Sequence, residues 1–239
     1  MMKPYAIKLE KQQFSLVSNE WTCLIGPVGS GKSMFLHNLT KKENEKKFFP
    51  QEKVVYLSDR TSFPQEKVIK TLLMNVEDQK IIEKILKLFN ISSLSTLFHF
   101  EPSIGMCQVL LFLYYYIQHP TVFVLDHAFS MIDPYHKEKL LTWFKKECKK
   151  NHQTVLFTSL EAEDLLYADQ IILYAEEQIK FIGTRKEFYQ EEKLVSQYGL
   201  EYPFDVELYH KLKYYNVFKR PIYNRERMIE HLWKSKNQK

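Results

Sequence analysis

Gly26-Pro27-Val28-Gly29-Ser30-Gly31-Lys32-Ser33 fits the pattern G-x-x-x-x-G-K-[ST]. A loop that wraps phosphate oxygens with its N–H groups needs positions without side chains where the backbone comes close, and three glycines supply them. Lys32 can reach the β- and γ-phosphates, and the Ser33 hydroxyl can bind Mg²⁺. The chain has only six glycines, and three lie in these eight residues. The stretch predicts a phosphate-binding loop, and the alternative is a glycine-rich turn with a chance Lys-Ser pair.

The segments that flank this loop have the expected character. Trp21–Ile25 is typical of a buried strand and Met34–Leu39 of a helix, whose positive N-terminal end would point at the anion. Further along, the apolar strand Val122–Asp126 ends in a carboxylate. In P-loop proteins such an aspartate completes the Mg²⁺ site, usually through water, so Asp126 is the second predicted metal residue beside Ser33. An ordinary aspartate in a turn is the alternative.

The rest of the chain alternates apolar strands with helical patterns. Short strands are expected within residues 5–25, an exposed Lys/Glu-rich connection at 40–50, and helices from 65 to 101 and from 103 to 117. Further strands are predicted at Val54–Leu57, Thr154–Thr158 and Gln170–Tyr174, and helices at Tyr135–Lys149 and Ala162–Ala168. This order predicts an α/β fold of the P-loop NTPase type: a RecA-like core with a mostly parallel, doubly wound sheet, an all-helical insertion and a small helical C-terminal appendage.

Composition limits the class of protein. The longest apolar run has nine residues, Val109–Ile117, whereas a membrane-spanning helix needs about 20. Residues 1–5 have no apolar signal-peptide region, and the three cysteines lack metal-like spacing, so we expect a reducing, cytoplasmic location. The net charge is +5. Its basic residues are scattered, so the sequence favours a solvated surface, and no nucleic-acid partner is expected.

The order of motifs resembles that of an ATP-binding cassette (ABC) ATPase over residues 5–190. The ordered set comprises Gly26–Ser33, Ser103-Ile104-Gly105-Met106-Cys107-Gln108, Val122–Asp126 and Ser130-Met131-Ile132-Asp133-Pro134. Within it, Pro102-Ser103-Ile104-Gly105-Met106 takes the place of the family's signature loop, and Ser130–Asp133 that of its D-loop. The resemblance implies an ABC ATPase domain over 1–190, with a helical subdomain at about 62–118, and a C-terminal helical appendage over 191–239. Short segments after residue 168 are similar to the ATPase subunits of energy-coupling-factor transporters, which energise uptake of vitamins or metal ions. They are Ala168–Ile172, Gly183–Phe188 and Gly199–Pro203.

This resemblance also implies cofactors and partners. We expect ATP and Mg²⁺ at the loop from Gly26 to Ser33, a polytopic membrane protein as one partner, and a second ABC ATPase subunit or a second copy of this chain as another. The location implied is cytoplasmic and peripheral, at the inner face of the cell membrane.

Several positions depart from the family pattern. His127 stands where the family has a catalytic glutamate, Thr158-Ser159 is followed by Leu160 where a switch histidine is expected, and Asp59 aligns with the Q-loop glutamine. Ile104 replaces the first signature glycine. The candidate for the aromatic residue that stacks on adenine is Tyr5.

These departures predict an ABC-type ATPase with degenerate catalytic motifs. Losing a group that orients water or stabilises the transition state lowers the rate by about 10²–10⁴, so we expect ATP to bind and to be hydrolysed slowly or not at all. A neutral His127 could act as a base, or it could cap or pack the strand end. Two other functions stay open: a soluble regulatory ATP-binding ABC protein without a transporter, and a phosphotransferase or other NTPase that shares only the loop.

Overall fold

The computed structural model describes residues 4–9, 12–50, 52–98, 101–215, 217–218, 221–223 and 225–236. The strands are β1 Pro4–Leu9, β2 Gln12–Val17, β3 Trp21–Ile25, β4 Val54–Ser58, β5 Val122–Asp126, β6 Thr154–Thr158, β7 Gln170–Ala175 and β8 Gln178–Thr184. The α-helices are α1 Lys32–Leu39, α2 Lys42–Phe48, α3 Gln65–Met74, α4 Gln79–Leu88, α5 Ile104–Tyr116, α6 Pro134–Lys150, α7 Arg185–Phe188, α8 Glu192–Gln197, α9 Phe204–Lys213 and α10 Arg225–Lys236. Two 3₁₀ turns occupy Ser95–Phe98 and Ala162–Tyr167.

A six-stranded sheet in the order β4-β5-β6-β3-β7-β8 forms the centre of the fold. The first five strands are parallel, and β8 runs antiparallel to β7. β3, β5 and β6 are buried along their whole length, as continuous apolar strands with both faces covered should be. The predicted α/β fold with a mostly parallel sheet is confirmed. A separate antiparallel pair, β1 with β2, makes a small second sheet.

Alternation along the central strands divides the core between the two faces of the sheet. On one face Trp21, Phe123 and Phe144 pack with α5, and the rings of Phe112 and Phe144 lie 4.7 Å apart. On the other face Leu24 and Val124 join residues of α1, β1 and β2. Because β3, β5 and β6 are parallel, the residues that follow them lie at the same edge of the sheet.

The helical insertion lies between β4 and β5, as predicted. α4 turns Ile82, Ile85 and Leu86 into the core, and residues 108–113 of α5 are buried on every side. None of the helices in the described part of the chain has both the length and the apolar character needed to span a bilayer. The boundary predicted between residues 190 and 191 stays a prediction, since Val195 and Val206 beyond it belong to the main core cluster.

The expectation of an exposed connection at residues 40–50 holds for exposure, since six residues from 41 to 50 are exposed, but it is wrong in that the segment is helical. Residues 42–48 form α2, and Phe48 and Phe49 at its end are buried in the same cluster as Leu39. Alternating Lys and Glu are good helix formers, and the aromatic pair supplies the apolar contact that fixes the helix on the core. Where a helix was predicted at Ala162–Ala168, the structure has a 3₁₀ turn at Ala162–Tyr167.

Candidate functional site

The phosphate-binding loop leaves β3 at Ile25 and enters α1 at Lys32. Gly31 has φ +91°, a left-handed conformation that strains any residue with a Cβ, and it directly precedes the helix. At Gly26 a Cβ would lie 2.0 Å from the Tyr174 carbonyl oxygen of β7. Glycine is therefore required at both ends of the loop, which leaves a cradle lined by backbone. Ser33 is exposed at the second position of α1, at the mouth of this cradle.

Lys32 lies inside the loop and is 5% exposed. Its Nζ donates to the carbonyl oxygens of Gly26 and Pro27, both at 2.8 Å, and to Ser30 Oγ at 3.3 Å. Burial lowers the pKa of Lys32, and the negative charge of Asp126 works against that decrease. The loop thus concentrates one amine and several backbone groups where an anion could be held.

Asp126 is the last residue of β5 and is 3% exposed. Its Oδ1 accepts a hydrogen bond from the Thr158 hydroxyl at 2.8 Å, and its Oδ2 accepts one from the Tyr56 hydroxyl at 3.3 Å. β5 and β3 are parallel members of the same sheet, so this carboxylate lies at the edge from which the loop emerges. The structure thus brings together the lysine and the carboxylate that the sequence predicted.

His127 follows Asp126 with φ +52°, in the left-handed region. Its backbone N–H donates to Thr158 Oγ1 at 3.0 Å, and its Nε2 lies 3.9 Å from Asp126 Oδ1. Nδ1 is buried without a hydrogen-bond partner among the described residues. Burial lowers the pKa of His127 from its usual value; Asp126 and Asp59 oppose this decrease, and Lys32 and Arg60 add to it. The imidazole is therefore neutral at pH 7.

A cavity of about 120 Å³ lies beside His127. Its wall is mostly apolar and includes Leu160, the residue that follows Ser159. At its base Lys137 is buried and its Nζ lies 3.1 Å from Asp164 Oδ2. Burial raises the pKa of Asp164. Sequence reasoning missed this buried pair, because Lys137 lies in a Lys-rich helix where nothing marks one lysine as buried.

The signature-like segment and the D-loop-like segment are in direct contact. The Ser103 hydroxyl caps α5 by accepting from the Met106 N–H at 3.3 Å. Gln108 accepts from the Met131 N–H at 3.0 Å, and a Cβ on Gly105 would lie 2.4 Å from the Met131 carbonyl oxygen. Ile104 is 65% exposed at the start of this helix. The two segments thus form one unit that presents an apolar, β-branched side chain on its surface.

The prediction that Tyr5 contacts adenine is wrong. Its ring packs edge-on against Phe49 with centroids 5.3 Å apart, and its hydroxyl donates to Glu52 at 3.1 Å. It lines a groove with Thr121 and His152, which precede β5 and β6. Tyr5 therefore lies at the edge where the parallel strands begin, across the sheet from the loop. Tyr5 was predicted from its distance along the chain to the loop. Its actual position is set by strand direction, which puts it at the opposite edge of the sheet.

Asp59 is exposed just beyond β4, and its backbone N–H donates to the Asp126 carbonyl oxygen at 3.1 Å. The predicted alignment with the Q-loop therefore puts a carboxylate next to the β5 end, where it adds negative charge near His127. Tyr56 and Thr158 were missed as site residues. The only signal for them is a hydroxyl on each strand beside the one that ends in Asp126.

The residues at this edge fit a nucleoside triphosphate with Mg²⁺. Gly26 and Gly31 leave room that a Cβ would fill, Lys32 supplies a cation, and Ser33 and Asp126 are the oxygen donors that Mg²⁺ prefers. Each Asp126 oxygen accepts one hydrogen bond from the protein and retains a second acceptor position. The donor set is therefore compatible with a metal ion held through water.

Comparison with curated proteins finds relatives along most of the chain. The energy-coupling factor transporter ATP-binding protein EcfA of Malacoplasma penetrans is 25% identical over 253 residues, covering 95% of this chain and 88% of that protein. The corresponding protein EcfA1 of Staphylococcus epidermidis is 22% identical over 228 residues, covering 85% of each.

Solved structures agree at the level of the fold. The structure of cbiO1 from Clostridium perfringens, described as part of the ABC transporter complex cbiONQ, superposes with a TM-score of 0.54. It is 16% identical, and the match covers 87% of this chain and 96% of that one. The sequence profile of the family described as ABC transporter matches residues 9–130, and this chain belongs to that family.

Proposed function

We propose that this chain is the ATP-binding subunit of an ABC-type membrane transporter. It binds MgATP at the loop from Gly26 to Ser33, hydrolyses it weakly or not at all there, and couples its nucleotide state to a polytopic membrane partner. The observation that carries the proposal is Lys32, which lies inside a glycine-lined loop at the same sheet edge as Asp126. The names of the relatives, ATP-binding proteins of energy-coupling factor transporters, support the transporter part.

The chemistry of binding follows from the residues at this edge. Lys32 would exchange its bonds to the Gly26 and Pro27 carbonyls for bonds to phosphate oxygens, and the N-terminal end of α1 would face the same anion. Ser33 and Asp126 would hold Mg²⁺, which when bound neutralises charge on the β- and γ-phosphates. Because the Lys32 ammonium group would exchange one set of acceptors for another, it would remain hydrogen-bonded when nucleotide binds.

Weak hydrolysis follows from His127 and Leu160. A base must be within reach of the attacking water, hold the correct protonation state and be oriented by a neighbour. His127 is neutral at pH 7, but its lowered pKa makes it a weak base, and no described residue is bonded to its Nδ1 to orient the ring. Leu160 offers no polar group. We therefore infer that this site binds ATP but hydrolyses it slowly or not at all.

We further propose that the chain assembles with other subunits. A second ABC ATPase subunit or a second copy of this chain would complete the site across an interface, and Ile104, exposed beside Gly105, would crowd the phosphate it faces there. The location proposed is cytoplasmic and peripheral, at the inner face of the membrane. No nucleic-acid partner is proposed.

Calorimetric titration with MgATP tests nucleotide binding. We expect the unaltered chain to bind and Lys32→Ala to bind at least about tenfold more weakly, because a charged hydrogen-bond donor contributes about 1.5–3 kcal/mol. Lys149→Ala, which removes an exposed lysine at the end of α6, is the matched control and should bind normally. Equal affinity in Lys32→Ala, checked for folding by circular dichroism, would contradict the proposal.

A further inference from the structure

Both oxygens of the Asp126 carboxylate accept hydrogen bonds from hydroxyl groups on neighbouring strands. Thr158 of β6 donates to Oδ1 at 2.8 Å, and Tyr56 of β4 donates to Oδ2 at 3.3 Å. Thr158 and Asp126 are buried, and Tyr56 is half-buried. The family motifs assign no role to either the Tyr56 hydroxyl or the Thr158 hydroxyl.

Strand register brings these groups together. Ser58, Asp126 and Thr158 lie abreast across β4, β5 and β6. Tyr56 is two residues before Ser58 and so points to the same face, from which a long side chain reaches its diagonal neighbour. The Tyr56 ring also meets His37 of α1, with centroids 6.1 Å apart. Tyr56 therefore bridges the helix that follows the phosphate-binding loop and the carboxylate at the end of β5.

The direction of each hydrogen bond is fixed. Thr158 Oγ1 accepts from the His127 backbone N–H at 3.0 Å, so its own hydrogen is available to Asp126. The Tyr56 hydroxyl faces a carboxylate oxygen, which can only accept, so Tyr56 is the donor in the second bond. Two donors on opposite oxygens set the plane of the carboxylate and leave one acceptor position on each oxygen.

We propose that Tyr56 and Thr158 are positioning residues, which fix the Asp126 carboxylate in the orientation that receives the Mg²⁺ accompanying the nucleotide. The inference rests on the proposed function and adds to it the residues that set its metal dependence. Partners that orient a metal-binding group change metal affinity by about 10–100-fold when they are removed. Tyr56→Phe and Thr158→Val should therefore weaken the contribution of Mg²⁺ without removing a group that touches nucleotide.

The test measures ATP affinity twice for each protein, once with excess Mg²⁺ and once with EDTA. The dissociation constant in EDTA divided by the dissociation constant in excess Mg²⁺ reports how much the metal strengthens binding; this quotient is called the Mg²⁺ ratio. We expect this ratio to fall by about tenfold or more in Tyr56→Phe and in Thr158→Val, while affinity in EDTA stays at the level of the unaltered chain. Thr158→Ser retains the hydroxyl and should restore the ratio.

Two matched controls separate this role from a structural one. Thr154→Val removes a buried hydroxyl at the other end of β6, where it accepts from the Asn19 N–H at 2.9 Å. Tyr116→Phe removes the hydroxyl of a buried tyrosine, which accepts from the Asn151 side-chain amide at 3.4 Å. Both should change the free energy of unfolding and leave the Mg²⁺ ratio unaltered.

A double-mutant cycle with Asp126→Asn completes the experiment. If Tyr56 and Thr158 act through Asp126, their substitution causes no further loss in that background. An unchanged ratio in Tyr56→Phe and Thr158→Val, an equal loss in the two controls, or additive losses with Asp126→Asn would each overturn the inference while leaving nucleotide binding intact. Failure of the folded, unaltered chain to bind ATP under either condition would instead overturn the proposed function, and the inference with it.

Discussion

At the scale of single residues, His127 distinguishes this site from one built for turnover. Its φ of +52° turns the side chain beside Asp126, where burial lowers its pKa. The backbone is held by Thr158, but the ring nitrogen Nδ1 has no partner among the described residues. A neutral ring with one nitrogen left without an orienting bond is poorly suited to align and deprotonate a water molecule.

His127→Glu should therefore raise ATP turnover. A carboxylate at this position would attract the attacking water and accept its proton, and we expect a gain of about tenfold or more in phosphate release. His127→Gln is the matched control: it is polar and of similar size but carries no charge, so turnover should stay low. Equal turnover in the two variants would show that position 127 does not limit the reaction.

Residue type alone predicted the loop glycines, Lys32 and Asp126, because phosphate and metal chemistry accepts few alternatives. It could not predict the hydroxyl pair on Asp126, because Tyr56 and Thr158 reach that carboxylate only through the register of three strands. Tyr5 failed for a related reason: the direction of the sheet, which sequence spacing does not record, puts it at the wrong edge.

At the scale of elements, the start of α5 and the segment 130–133 depend on each other. Gly105 brings the first turn of α5 against the Met131 backbone, and Gln108 bonds to the Met131 N–H and to the Ser130 hydroxyl. Such close contact between a helix and a backbone segment leaves no room for a side chain. The apolar pattern predicted α5 as a buried helix, but this contact depends on tertiary structure and was not predicted.

Gly105→Ala should destabilise the protein. A Cβ would lie 2.4 Å from a carbonyl oxygen, and such overpacking lowers the free energy of unfolding by about 1–3 kcal/mol. The sign is diagnostic, because helix propensity alone would make alanine the more stable choice. Urea unfolding of the variant measures the change. Met131→Ala removes a mostly exposed side chain, leaves the backbone contact in place and should unfold like the unaltered chain. A Gly105→Ala variant as stable as its parent would refute the contact.

Strands were the elements best predicted, since continuous apolar runs such as β5 and β6 have few alternatives in a chain of alternating pattern. α2 was not predicted, because its many charged residues are also typical of an exposed loop. The burial of Phe48 and Phe49 depends on tertiary packing. The two 3₁₀ turns differ from α-helices by hydrogen bonding that periodicity does not resolve.

At the scale of the whole molecule, the family and the fold agree along the chain. The relatives cover most of it, the sheet order brings one loop and one carboxylate to a shared edge, and apolar clusters fill both faces. Under the proposed function, transport would require another protein in the bilayer. The proposal therefore depends on assembly as well as on the site.

Affinity purification at native expression level, from detergent-solubilised membranes, tests that assembly. We expect a polytopic membrane protein to copurify with the chain, together with an ABC ATPase subunit or a second copy. The Lys32→Ala variant changes only a buried residue of the phosphate-binding loop, so it should retain the membrane partner. Recovery of the chain from the soluble fraction alone would favour a regulatory ATP-binding protein without a transporter.

Binding of ATP without rapid hydrolysis can be measured by following the fate of the bound nucleotide. Folded, unaltered chain would be incubated with Mg²⁺ and radiolabelled ATP, separated from free label, and its bound nucleotide identified at successive times. We expect about one nucleotide per chain, as one phosphate-binding loop allows, recovered mainly as ATP over many minutes. Protein that carries no label, or label that turns rapidly to ADP, would contradict it.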